Sequence, residues 1–237
     1  MSLDETDRTP SAAAVAESDA ARAIALALAS GRCPSDADFD RHLPRDLARL
    51  SSCFWTPVSV AYRVAAWLDD LGARSALDVG SGAGKLCVVA ALSGSTRWLG
   101  LEHRPHLVKS ANELARRFSV GERVDFRVGE LGAMPLPVVD AYYFFNPFGE
   151  NLFGYVDCID TDVWLGRRRY ELDVAHAEAL LRAAPVGTAV VTYNGFGGRM
   201  PAAFVERRVD RELPCVLRLY EKVAPRPETY ASSASMV

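Results

Sequence analysis

Short apolar runs alternate with longer helical stretches along most of the chain. Ser75–Val79 is one such run, and others fall at residues 96–101, 124–128, 138–145 and 188–193. Runs of this length, bounded by turn residues, predict buried strands. Residues 85–92, 106–118 and 171–184 predict helices between them, and residues 204–211 and 215–223 predict a closing pair of strands. Strands alternating with helices imply a mostly parallel, doubly wound α/β sheet of seven strands, covered by helices on both faces.

Upstream of residue 75 the pattern is helical. The Ala-rich segment 12–30 favours helix and stops at Gly31. Residues 34–40 read as a loop, and a second helix runs from near Leu43 or Pro44 toward Ser51. Thr56 and Pro57 then suit the N-cap and first turn of a third helix. Its Val60, Val64, Ala65 and Leu68 share one face, which suits packing on a sheet. The expected division is an N-terminal helical extension or lid over 1–55, an α/β domain over 56–223, and a flexible tail over 224–237.

Composition narrows the class without naming a function. The 237 residues are 49% hydrophobic and 24% charged, which excludes wholesale disorder. The net charge of −3 argues against bulk nucleic-acid binding. Of 27 basic residues only Lys85, Lys109 and Lys222 are lysines, a bias toward arginine that no motif explains. Five cysteines without a C-x-x-C pair suggest neither a disulfide frame nor a zinc site. His103 and His106 form H-x-x-H, but the sequence offers no third ligand, so no metal is expected. The acidic start and the short apolar run at 23–29 predict a cytoplasmic protein without a membrane partner.

The informative segment is Asp78-Val79-Gly80-Ser81-Gly82-Ala83-Gly84-Lys85, a strand end, a glycine turn and a helix start. The dinucleotide fingerprint needs glycine where Lys85 stands. The P-loop needs glycine at Val79 and Ser or Thr at Leu86. What remains is G-x-G-x-G preceded by Asp78, which resembles motif I of class I S-adenosylmethionine-dependent methyltransferases. That resemblance implies a Rossmann-like fold and S-adenosylmethionine as cofactor, bound by Asp78, Gly80, Ser81, Gly82 and Gly84. It also implies that Glu102, ending the next strand in Gly100-Leu101-Glu102, accepts the ribose hydroxyls. After the third strand, Glu130 would accept from the adenine amino group and Leu131 would flank the ring.

The fourth strand ends in Phe145-Asn146-Pro147-Phe148. This resembles, with one proline missing, the Asn-Pro-Pro-Tyr/Phe loop of amino-nitrogen methyltransferases. It is also similar to the strand end of the non-SET histone-lysine methyltransferase branch. Either likeness implies that Asn146, Pro147 and Phe148 receive a nitrogen acceptor, with Asn146 holding it and Phe148 stacking on it. Phe54-Trp55-Thr56-Pro57 resembles a segment that closes over the methionine end, where Thr56 would donate to the ligand carboxylate, besides its N-cap role. Asp140 is a candidate support for the acceptor loop from behind. Arg167, Arg168 and Arg169 predict a solvated helix start, and Tyr193-Asn194-Gly195-Phe196-Gly197-Gly198 a mobile loop over the acceptor.

The expectation is methyl transfer to an acceptor that the sequence does not identify, a protein side chain or a small molecule. A non-catalytic binding protein on the same fold, or an NAD(P)-dependent oxidoreductase, are the alternatives.

Overall fold

The computed structural model describes residues 12–154 and 157–225, with side chains from Glu17 onward. Most of the expected flexible tail lies outside the described residues. Seven strands form one sheet: β1 (Ser75–Val79), β2 (Arg97–Glu102), β3 (Val124–Val128), β4 (Ala141–Phe145), β5 (Ala189–Tyr193), β6 (Phe204–Asp210) and β7 (Leu217–Lys222). The order is β3-β2-β1-β4-β5-β7-β6, and only β7 runs antiparallel to its neighbours. The chain reverses direction between β3 and β4, next to β1. In open α/β sheets such a reversal places a crevice at the carboxyl ends of the strands.

Pleating divides each central strand between two cores. Ala141 and Tyr143 face one core, built with α4 (Val58–Asp70), α5 (Lys85–Ser93) and α6 (Pro105–Arg117). Tyr142 and Phe144 face the other, built with α7 (Arg167–Ala183). Residues 86–91 of α5 are all buried, because α5 is apolar on every side and sits between the sheet and other helices. The α4 face read from the sequence is buried at Val60, Val64, Ala65 and Leu68.

The extension comprises α1 (Ala12–Ala29), α2 (Asp36–Asp40) and α3 (Arg45–Phe54). Helix α2 replaces the expected loop at 34–40; Ser35 caps it by accepting the Asp38 N–H at 3.1 Å. Five residues are too few for a readable period, and its anchor is Phe39, stacked on Phe118 of the α6 end at 5.0 Å between centroids. Thr56 does not cap α4. The Val58 N–H donates instead to the Asp36 carboxylate at 2.8 Å, so a side chain from α2 supplies the cap.

One buried cation fastens this extension to the domain. Lys85 opens α5, where a positive charge opposes the helix dipole. Its side chain is 2% exposed, and its ammonium donates to Asp36 at 2.6 Å, Asp40 at 2.7 Å and the Ser51 hydroxyl at 2.9 Å.

Two expected bounds shift. Strand β4 starts at Ala141 rather than 138, since Val138 is exposed and Asp140 turns back to accept from the Arg74 and Ser75 N–H groups at 2.9 and 3.0 Å. Asp140 therefore clips β1 to β4 at the end of the sheet opposite the crevice, and does not support the acceptor loop. Helix α7 starts at Arg167, directly after Gly166. At the far edge, β6 carries Glu206, Arg207 and Arg208 beside a register shift, with Arg207 paired to Glu221 and Arg208 to Asp70.

Candidate active site

A cleft of about 310 Å³ opens at the carboxyl ends of the strands. It is lined by the turn after β1, the ends of β2 and β3, the loop after β4, Asn194 after β5 and the end of α3.

Gly80, Gly82 and Gly84 all take positive φ, at 76°, 53° and 79°. A Cβ on Gly80 would lie 2.8 Å from the Pro147 side chain, and one on Gly82 would run into the Trp55 ring. The turn after β1, the turn after β4 and the end of α3 are therefore packed on bare backbone. Gly84 serves a different contact: a Cβ there would meet Ala111 of α6 and Phe126 of β3, each at 2.7 Å. Gly82→Ala is expected to lower stability by roughly 1–3 kcal/mol, combining left-handed strain with overpacking against Trp55. Denaturant unfolding checks this, and a wild-type midpoint would refute the tight contact.

Glu102 ends β2 as a buried carboxylate. It accepts the Gly82 N–H at 3.1 Å on one oxygen and the Arg104 N–H at 2.9 Å on the other. Burial raises its pKa above the usual carboxylate range, and those two donors pull it part of the way back. Each oxygen keeps a further lone pair, which suits a pair of hydroxyl donors.

No motif in the sequence marks Arg104 as a site residue. Its guanidinium holds Glu150 through two nitrogens, at 2.8 and 3.0 Å, and donates to Asp160 at 3.1 Å. With its own N–H on Glu102, Arg104 links the end of β2 to the loop following β4. His103 stands beside it, its Nε2 3.0 Å from the Arg104 guanidinium. Burial, then Arg104 and Arg169, push the His103 pKa down to about 4, so the ring is neutral near neutral pH.

Glu130 and Leu131 reach the cleft after β3. Arg169 comes from α7 to pair with Glu130 at 3.1 Å and with Asp173 at 2.8 Å. The Arg169 side chain is 13% exposed, so this part of the expected solvated helix start is a cleft wall. Arg167 and Arg168 remain exposed.

Asn146 adopts φ +40°, its N–H donating to the Gly195 carbonyl at 2.9 Å and its carbonyl accepting from the Gly149 N–H at 3.0 Å. Its side chain folds over Gly149, where a Cβ would collide with it. Pro147 lines the cleft beside it. Phe148 touches the cleft but is only 6% exposed and packs in the α7-side core, so it offers little free ring face. The segment 193–198 is tied down rather than free: Phe196 is buried against Phe144, and Gly195 and Gly197 accept hydrogen bonds from Asn146 and Tyr170.

Three further sequence-level candidates lie beneath the cleft. The Thr56 hydroxyl pairs with the Tyr143 hydroxyl at 2.9 Å, and Phe54 and Trp55 take its expected place on the wall. The Ser81 hydroxyl is buried, unpartnered, and directed at Gly100 on β2. Asp78 is buried against Cys87, whose thiol donates to it at 3.5 Å. His103 and His106 diverge. His106 stands outside with Asp160 and Asp162, its ring nitrogen 3.3 Å from Asp160.

Residues 72–148 match a family described as a methyltransferase domain. No curated protein matches the chain. Among solved structures, an RNA methyltransferase from Salinibacter ruber in complex with S-adenosyl-L-homocysteine superposes with a TM-score of 0.53 and 22% identity. The match covers 73% of this chain and 96% of that one. An O-methyltransferase from Bacillus cereus, also in complex with S-adenosylhomocysteine, gives a TM-score of 0.54 and 14% identity over 84% of this chain and 97% of that one. At such identities these two likenesses establish the fold. The glycine turn and the ends of β1 to β4 lie inside the matched segment 72–148, and over the rest of the chain the likeness is one of fold.

Proposed function

We propose that this protein transfers a methyl group from S-adenosylmethionine to a nitrogen acceptor, with Gly80, Gly82, Glu102, Glu130 and Leu131 holding the cofactor. The observation that carries this reading is the charge around the glycine turn. Lys85, the cation that a phosphate would need there, is committed to Asp36, Asp40 and Ser51 on the extension. Arg104 and Arg169 are likewise committed to carboxylates. Facing the turn is the Glu102 carboxylate, placed to accept a ribose diol. Glu130 stands at the next strand end for the adenine amino group, with Arg169 fixing its position.

Bound there, S-adenosylmethionine supplies an activated methyl group on a sulfonium. The residues contribute alignment more than acid–base chemistry. Asn146, fixed by its two backbone hydrogen bonds, presents an amide beside the Pro147 turn. Among the described residues, the lining at the ends of β4 and β5 and before β7 offers no His, Lys or uncommitted carboxylate as a base. An alcohol would need one, whereas a neutral nitrogen carries its own lone pair. This favours nitrogen over oxygen.

Calorimetry with S-adenosylhomocysteine and NAD tests the cofactor class. The sulfur nucleoside is expected to bind and NAD is not. Glu102→Ala is expected to weaken S-adenosylhomocysteine binding at least tenfold, about 1.4 kcal/mol. Unchanged affinity would remove Glu102 from the ribose site.

A further inference from the structure

The cleft is divided by charge along the sheet order. Its charged lining residues Glu102, Arg104 and Glu130, with the neutral His103 beside them, come from the ends of β2 and β3, joined by Arg169 and Asp173 of α7. The half at the ends of β4 and β5 and before β7 is lined by Phe145, Asn146, Phe153, Ile159, Asn194 and Cys215, closed by Phe54 and Trp55 from α3. Among the described residues the one carboxylate on that half, Glu150, has both oxygens on Arg104. Phe54 leans on Trp55 with ring centroids 6.1 Å apart and on Phe153 at 6.2 Å, and Phe153 is half exposed.

Resting on the methyltransferase reading above, we infer that the acceptor is a neutral, planar heteroaromatic nitrogen without a proton to lose. An RNA acceptor would need cations on this half, and a lysine side chain would need a base to take its proton. Among the described residues this half of the lining offers no cation and no carboxylate that is not already held by Arg104. A pyridine-type nitrogen needs neither. Its lone pair forms the new N–CH₃ bond as the C–S bond breaks, and sulfur keeps that electron pair. The positive charge passes from sulfur to nitrogen, and no proton is released. Aromatic walls attract the resulting cation through their π faces, while the asparagine amides supply the polar contacts.

The test uses the full chain and isoquinoline, which is neutral at mildly alkaline pH, as the probe. Calorimetry first establishes S-adenosylhomocysteine binding; its absence would sink the methyltransferase reading itself. On the S-adenosylhomocysteine-loaded protein, isoquinoline is expected to bind at least tenfold more tightly than isoquinoline-5-carboxylate. Phe153→Lys should erase or reverse that preference. With labelled S-adenosylmethionine, isoquinoline should be methylated without acid release. 2-Naphthol, a lysine peptide and an oligoadenylate should react at least tenfold more slowly. Intact S-adenosylhomocysteine binding would leave the cofactor reading standing while any of three results overturns the inference. These are equal binding of the carboxylate, no transfer to isoquinoline, or faster transfer to naphthol, peptide or RNA.

Discussion

Lys85→Met is expected to destabilise the protein by about 3–5 kcal/mol, the range for removing one partner of a buried ion pair. Methionine conserves most of the side-chain volume, so the loss is electrostatic rather than a cavity. Asp40, only 13% exposed, would keep its charge without its counter-ion, and Asp36 would cap α4 alone. Adding Asp40→Asn removes the stranded charge and should recover part of the loss, as a double-mutant cycle would measure. Denaturant unfolding reads both effects. A single variant within 1 kcal/mol of wild type would mean that the extension is held by its apolar contacts alone.

The second large effect depends on pH and belongs to Asp78. Burial pushes its pKa up to about 7, with the Glu102 charge adding to the rise and the Cys87 thiol opposing it. Unfolded, an aspartate titrates near about 3.9, so across that window the folded chain keeps a proton that the unfolded chain gives up. The sign follows: Asp78 costs nothing below the unfolded value, and stability then falls as pH rises toward 7. Three pKa units correspond to roughly 4 kcal/mol as an upper limit. Asp78→Asn should therefore gain stability relative to wild type as pH rises, with the gain levelling off above about pH 7. His103 titrates in both proteins and drops out of the difference between the two curves, which carries Asp78 together with its coupling to Glu102. Parallel curves would mean that Asp78 ionises freely in the fold.

What the sequence revealed of this site was local, and what it hid was distant. The glycine turn and Glu102 could be read because each sits at a strand end whose position the apolar runs define. The closing pair of strands followed from the same runs, but not its order, in which β7 inserts between β5 and β6. Arg104 could not be read as a clamp, since its partners Glu150 and Asp160 lie in a loop without periodicity. Arg169 reaches Glu130 across 39 residues, and Lys85 reaches Asp36 across 49. Thr56 suits a cap by its local sequence, but Asp36, from α2, takes the same N–H. Motif I resemblance also credits Ser81 and Gly84 with ligand contact, whereas both face neighbouring elements instead.

The ion pairs on β6 bear on how the sheet ends. An edge strand presents unpaired backbone groups that could recruit another chain. Here the β6 register shift breaks the regular hydrogen-bond spacing, and Arg207 and Arg208 stand beside it with their carboxylate partners. An incoming strand would have to desolvate those pairs and match an irregular ladder. The arginine-rich edge thus discourages sheet-to-sheet aggregation, a use for part of the arginine surplus that lies far from the chemistry.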